Sequence, residues 1–155
     1  MTPPLDKNTF RTIVENTPLI SIDLIVTTPQ NDVLLGYRRN QPAQNFWFDP
    51  GGRIRKGETI AEAFRRVTRE ELGVEFDLTA AQFLGVYDHI YEDNALGESG
   101  YGTHYIVLAY RLQIPRRLEK LPAEQHDSYR WQPLSEAAFD PGVHPYSKMM
   151  LLPLL

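Results

Sequence analysis

The stretch from Gly52 to Val74 constrains this chain more than any other. Thr59–Leu72 has the clearest helical pattern in the sequence, with Ile60, Phe64 and Val67 at i, i+4 and i+7 making an apolar stripe. Thr59 followed by Glu62 fits a capping box, and Gly73 is placed to end the helix in a left-handed conformation. Near the C-terminal end Glu70 and Glu71 put two carboxylates side by side, with Arg66 one turn earlier. Adjacent carboxylates repel, and a divalent cation relieves that repulsion. Hard oxygen donors suit Mg²⁺, which takes one or two carboxylates, waters and substrate phosphates. Gly51-Gly52, just upstream, lets the backbone come close enough for a carbonyl to join the same shell. A Glu-Glu pair alone describes an ordinary solvated helix face; the spacing around this one carries the argument.

The rest of the chain frames that segment. The N-terminal pattern over Asn8–Asn16, with Phe10, Ile13 and Val14, predicts a short helix that closes before Pro18, with Asn8 or Asp6 as its cap. Leu19–Thr27 and Asp32–Arg38 read as strands joined by a turn at Pro29–Asp32. Phe46–Phe48 reads as a short aromatic strand, Gln82–Tyr91 and Thr103–Ile114 as two long ones, and Asp127–Gln132 as another short one. Pro145–Leu155 is expected to hold a last short helix. Helices lie between groups of strands rather than in strict alternation, so the fold class is α/β, a sandwich built on a mixed sheet.

Bulk properties exclude several function classes. At 155 residues, with 42% hydrophobic and 23% charged, the chain suits one domain spanning 1–155. It has no cysteine, so neither disulfides nor thiolate metal sites are available. Met1–Lys7 has no apolar run to act as a secretory signal, and no stretch is long and apolar enough to span a membrane; the expected compartment is the cytoplasm. A net charge of −4 disfavours nucleic acid as a partner.

From Gly52, Glu58 follows after five residues, Arg66 after seven more, then Glu70-Glu71 and Gly73. This pattern resembles the box of the Nudix hydrolases, Gly-x5-Glu-x7-Arg-Glu-x-x-Glu-Glu-x-Gly, at all but one fixed position. The departure is Val67, where the box has glutamate after its arginine. That departure, with Thr17-Pro18-Leu19, Arg39-Asn40-Gln41-Pro42-Ala43-Gln44, Trp47-Phe48, Pro50-Gly51-Gly52-Arg53, Thr103-His104-Tyr105, Glu124-Gln125-His126-Asp127 and Tyr129-Arg130-Trp131, is similar to the GDP-mannose mannosyl hydrolases of that superfamily. The resemblance runs from about Phe10 to about His144.

The resemblance implies the Nudix fold, an α/β/α sandwich around a mixed sheet. It implies hydrolysis of GDP-mannose or GDP-glucose by substitution at the anomeric carbon with inversion, one Mg²⁺ or Mn²⁺ per subunit, and a homodimer. It gives the Gly51 carbonyl, Glu71 and Gln125 as metal ligands, with Glu70 secondary, and His126 as general base. Asp23, Arg38, Arg53 and Arg66 position or neutralise the nucleotide sugar, and Tyr105 assists at the diphosphate. Two alternatives stay open: a Nudix pyrophosphohydrolase attacking phosphorus, and a nucleotide-sugar-binding module without catalysis. Of the other histidines, His89 and His104 read as structural strand residues and His144 as a surface residue. Trp47 and Phe48 read as core.

Overall fold

The computed structural model describes residues 4–123 and 128–155. Seven strands form one mixed sheet: β1 (Leu19–Thr27), β2 (Asp32–Tyr37), β3 (Trp47–Phe48), β4 (Gly51–Arg53), β5 (Ala81–Tyr91), β6 (Thr103–Gln113) and β7 (Tyr129–Pro133). The main path runs β3-β2-β1-β6-β5, with β4 paired to β1 and β7 to β2. The centre is a parallel pair, β1 with β6, in register from Leu19↔Tyr105 to Thr27↔Gln113. The turn after β1 needs a left-handed residue and takes Asn31, at φ 59°.

Four helices complete the fold: α1 (Lys7–Asn16), α2 (Ile60–Leu72), α3 (Leu134–Ala137) and α4 (Pro145–Leu151). The α1 cap is Asp6, whose side chain accepts from the Thr9 N–H, and α2 has the full Thr59–Glu62 capping box and a left-handed Gly73 at φ 76°. Because side chains alternate along β1, Ile22, Leu24 and Val26 face α2 and pack on Phe64, Val67 and Leu72. Ile25 points the other way, into a second cluster with Val107, Ala109, Ala137, Met150 and Leu151. The expected α/β/α sandwich is therefore observed.

Two local expectations need correction. Ile60 is 44% exposed, so the buried stripe of α2 begins at Ala63 and Phe64. Residues 51–53 form a strand, because the β1 backbone offers them partners at Ser21, Ile22 and Asp23. The short helix expected within Pro145–Leu155 is α4, which stops at Leu151 and passes into a single 3₁₀ turn, Leu152–Leu154, at Pro153. His144 is no surface residue: it caps α4, its Nδ1 accepting from the Tyr146 N–H, and packs against Phe46 and Phe48.

Candidate active site

Two cavities meet along β4. The first lies against α2 and is lined by Gly51, Gly52, Arg53, Arg55, Arg66, Val67, Glu70 and Glu71. The second is a cleft of ≈ 510 Å³ on the α4 side of the sheet, whose lining includes Ser21, Asp23, Arg38, Phe48, Asp49, His89, Tyr91 and Tyr105 as well as Gly51, Gly52 and Arg53. A two-glycine strand between them lets both reach the same backbone. Glycine is required at position 51, where a Cβ would come within 2.6 Å of the Ile22 carbonyl oxygen and 2.9 Å of Asp23 Oδ1.

The α2 cavity is held by a charged lattice. Glu71, 5% exposed, accepts from the Gly51 N–H at 2.9 Å, tying the helix end to β4. Arg66 donates from Nε to Glu58 Oε2 at 2.7 Å, from Nη1 to Glu70 at 3.0 Å, and from Nη2 to the Arg53 carbonyl at 2.7 Å and Glu58 Oε1 at 2.9 Å. Those bonds hold the Glu58 carboxyl below its ordinary range. They also direct most of the guanidinium to protein groups, so Arg66 braces the loop that enters the helix. Val67 lines the cavity with an apolar side chain and offers it no polar group. It is 1% exposed in the α2-side core, and a Cβ on Gly52 would stand 3.1 Å from its Cγ2.

A divalent cation fits the α2 cavity. Its donor set is hard oxygen: the Glu71 carboxylate, the neighbouring Glu70 carboxylate and β4 carbonyls. No group of three or more His, Asp or Glu among the described residues forms a metal cage. Two carboxylates and backbone carbonyls suit a cation that leaves the rest of its shell to water and phosphate. Gln125 and His126 lie outside the described residues.

The cleft is polar at its floor. Asp23, 6% exposed, accepts from Ser21 Oγ at 3.3 Å and lies beside the carboxyl of Asp49. Burial, and then the neighbouring Asp49, push the Asp23 carboxyl well above its usual range. Burial and a like-charged neighbour both disfavour the ionised form of a carboxyl. Arg38 donates from Nε to the Pro42 carbonyl at 2.9 Å, which fixes its stem at the cleft rim. Burial raises the Tyr105 hydroxyl above its usual range, keeping it a neutral donor. The structure thus brings Asp23, Arg38, Arg53, Tyr105 and Gly51 to one cleft, with Glu71 and Arg66 across β4.

The cleft also holds residues that the sequence does not mark as site residues, among them Asp49, His89 and Tyr91. His89 was read as a structural strand residue; it is 2% exposed, stacks on Tyr146 at 4.4 Å and lines the cleft as well. Alternation from Tyr87 to Tyr91 along β5 was the available signal for its face. Burial lowers the His89 pKa to about 4, so it is neutral in the folded protein. The unfolded chain takes up that proton as pH falls below about 6.5, so this residue's contribution favours unfolding from pH 6.5 down to 4. Thermal melts across that window should show wild type losing more stability than His89→Phe; parallel curves would contradict the assignment.

A family model described as NUDIX domain matches residues 17–152. The low-salt glycan biosynthesis protein Agl8 of Haloferax volcanii is 34% identical over 142 residues, covering 92% of this chain and 85% of that protein. Among solved structures, a MutT NUDIX hydrolase from Burkholderia pseudomallei superposes with a TM-score of 0.70 at 23% identity, covering 90% of this chain and all of the other. The NUDIX domain of Shewanella oneidensis NrtR, solved with ADP ribose, gives 0.64 at 17% identity over 97% and 99% of the two chains. These two similarities bear on the fold.

Proposed function

The chain belongs to the NUDIX domain family, and on that premise we propose that it hydrolyses a GDP-sugar, GDP-mannose or GDP-glucose, to GDP and the free sugar. The proposal places it with the GDP-mannose mannosyl hydrolases. The observation that carries it is Val67: the position that holds a glutamate in the family box carries a buried, apolar side chain between the core and the α2 cavity, so α2 offers no base at that position for attack at phosphorus. The 34% identity to a protein named for glycan biosynthesis is consistent with a sugar-bearing substrate.

In this reading the diphosphate lies along β4. Bound Mg²⁺ or Mn²⁺ would disperse the charge that the departing diphosphate gathers. The Gly51 carbonyl, Glu71 and Gln125 would hold it, with Glu70 alongside. Arg53 and Arg38 face the diphosphate from the cleft side, and Arg66 acts through the loop it braces. Tyr105, kept protonated, donates toward a diphosphate oxygen. Water attacks the anomeric carbon from the face opposite the leaving group. Its proton passes to His126, the bond from that carbon to the diphosphate oxygen breaks, and GDP leaves with the electron pair. One displacement inverts the sugar. Nucleotide sugar is the proposed partner, in a homodimer with one metal per subunit.

Hydrolysis in ¹⁸O-water with anomer-resolved product analysis tests this. Label in the free sugar, GDP as co-product and an inverted first anomer are expected. GMP with labelled phosphate would instead establish the pyrophosphohydrolase reading, and no turnover at all the binding-module reading. His126→Gln is expected to lower kcat by about 10²-fold or more while metal affinity stays within a few-fold; unchanged turnover would remove His126 as the base.

A further inference from the structure

Asp49 stands between Trp47-Phe48 and Pro50-Gly51-Gly52-Arg53, two segments on which the family resemblance rests, and belongs to neither. It is 4% exposed, between an aromatic residue and a proline, where an apolar side chain would be less costly to bury. It is also held at two points. Its N–H donates to Ser147 Oγ at 3.1 Å, and the Ser147 hydroxyl donates to Asp49 Oδ1 at 2.5 Å. Ser147 is itself fully buried, on α4, so the carboxyl's orientation is set by an element far away in sequence. Beside it sits Asp23, and both line the cleft.

The chemistry of this corner selects its ligand group. A carboxyl pair repels phosphate and accepts from O–H or N–H donors. The pair is next to the proposed diphosphate position: Asp23 is the β1 partner of Gly51, and Asp49 lies two residues before it. In a nucleotide sugar the glycosyl group is joined to the diphosphate through a single oxygen, whereas the base is set apart from it by the ribose. The donors within reach of the pair are therefore hydroxyls, of the glycosyl group or of the ribose, and the binding of GDP, which keeps the ribose and lacks the glycosyl group, tells the two apart.

We propose that Asp49 is a specificity-determining residue, held by Ser147 to accept a hydrogen bond from one hydroxyl of the glycosyl group. The proposal rests on the nucleotide-sugar reading above. A hydrogen bond to a buried carboxyl discriminates against the analogue lacking that hydroxyl by about 10–100-fold.

The test pairs protein and substrate changes. GDP-mannose and its monodeoxy analogues are compared as substrates of wild type and Asp49→Asn, with the Kd of GDP measured by calorimetry in Mg²⁺. For wild type, one deoxy analogue should fall about 10–100-fold in kcat/KM. Asp49→Asn should lose a similar factor on GDP-mannose, show no further loss on that analogue, and bind GDP within about twofold of wild type. A wild-type-like deoxy profile in Asp49→Asn, or a GDP affinity that falls as far as that of the sugar nucleotide, overturns the proposal. Should Asp49→Asn fail to fold, Ser147→Ala releases the same carboxyl. The penalty for that one analogue should then shrink severalfold, and an unchanged penalty overturns the proposal equally. If wild type binds GDP yet cleaves no GDP-sugar, the nucleotide-sugar reading fails, and the role of Asp49 with it. Cleavage with unaltered discrimination defeats the role of Asp49 alone.

Discussion

Glu71→Gln is expected to lower turnover by on the order of 10³-fold and to weaken divalent-metal binding, while leaving the fold intact. The carboxylate has two tasks that the substitution separates. One is mechanical: Oε1 accepts from the Gly51 N–H and fastens the end of α2 to β4. A glutamine oxygen accepts the same bond, so the metal-free variant should melt within a few degrees of wild type. The other task is the negative charge at a cavity whose remaining carboxylate, Glu70, is already engaged by Arg66. Without that charge a hard cation has a neutral amide in place of a carboxylate. Titration with Mn²⁺ followed by paramagnetic resonance reads affinity, and steady-state kinetics reads rate. Metal affinity equal to wild type would remove Glu71 from the ligand set.

Phe64→Ala is expected to destabilise the protein by about 3–5 kcal/mol, the usual cost of emptying an aromatic site in a tight core. Phe64 is fully buried under α2, edge-on to Tyr110 at 5.5 Å between centroids, in the cluster that also holds Ile22, Leu24 and Val67. Its neighbours belong to the sheet and the helix, so they cannot all collapse into the gap. The functional consequence follows from geometry, because the same helix carries Arg66, Glu70 and Glu71 on its cavity side. Urea denaturation should show the midpoint falling with little change in slope. A loss below about 1 kcal/mol would mean that the helix is not anchored where the structure puts it.

What the sequence made legible follows from how local each signal was. Helix α2 could be read with both caps because the capping box, the apolar spacing and the terminal glycine all lie within one segment. Glu71 and Arg66 could be placed for the same reason. Strand β4 could not: Gly51 and Gly52 have no side-chain pattern, and their pairing depends on β1, which lies elsewhere in the chain. Asp49 was missed because its neighbours across space, Asp23 and Ser147, are remote in sequence. His144 looked polar and exposed beside Pro145, yet the aromatic packing of Phe46 and Phe48 buries half of it. The subfamily expectation for Gln125 and His126 falls outside the described residues and rests on the resemblance.

The parallel pairing of β1 with β6 has a consequence for how the protein is made. The loop and helix at 51–74 emerge from the ribosome early, but β4 leans on β1, and β1 has no partner along its other edge until residues 103–113 arrive. At about 5–20 residues per second that interval lasts seconds. Through it the run Leu24-Ile25-Val26, wholly buried at the end, has no sheet to enter. A nascent chain cut short before residue 113 should therefore neither assemble the platform nor resist a protease, and cellular holdases would meet this protein first at its first strand.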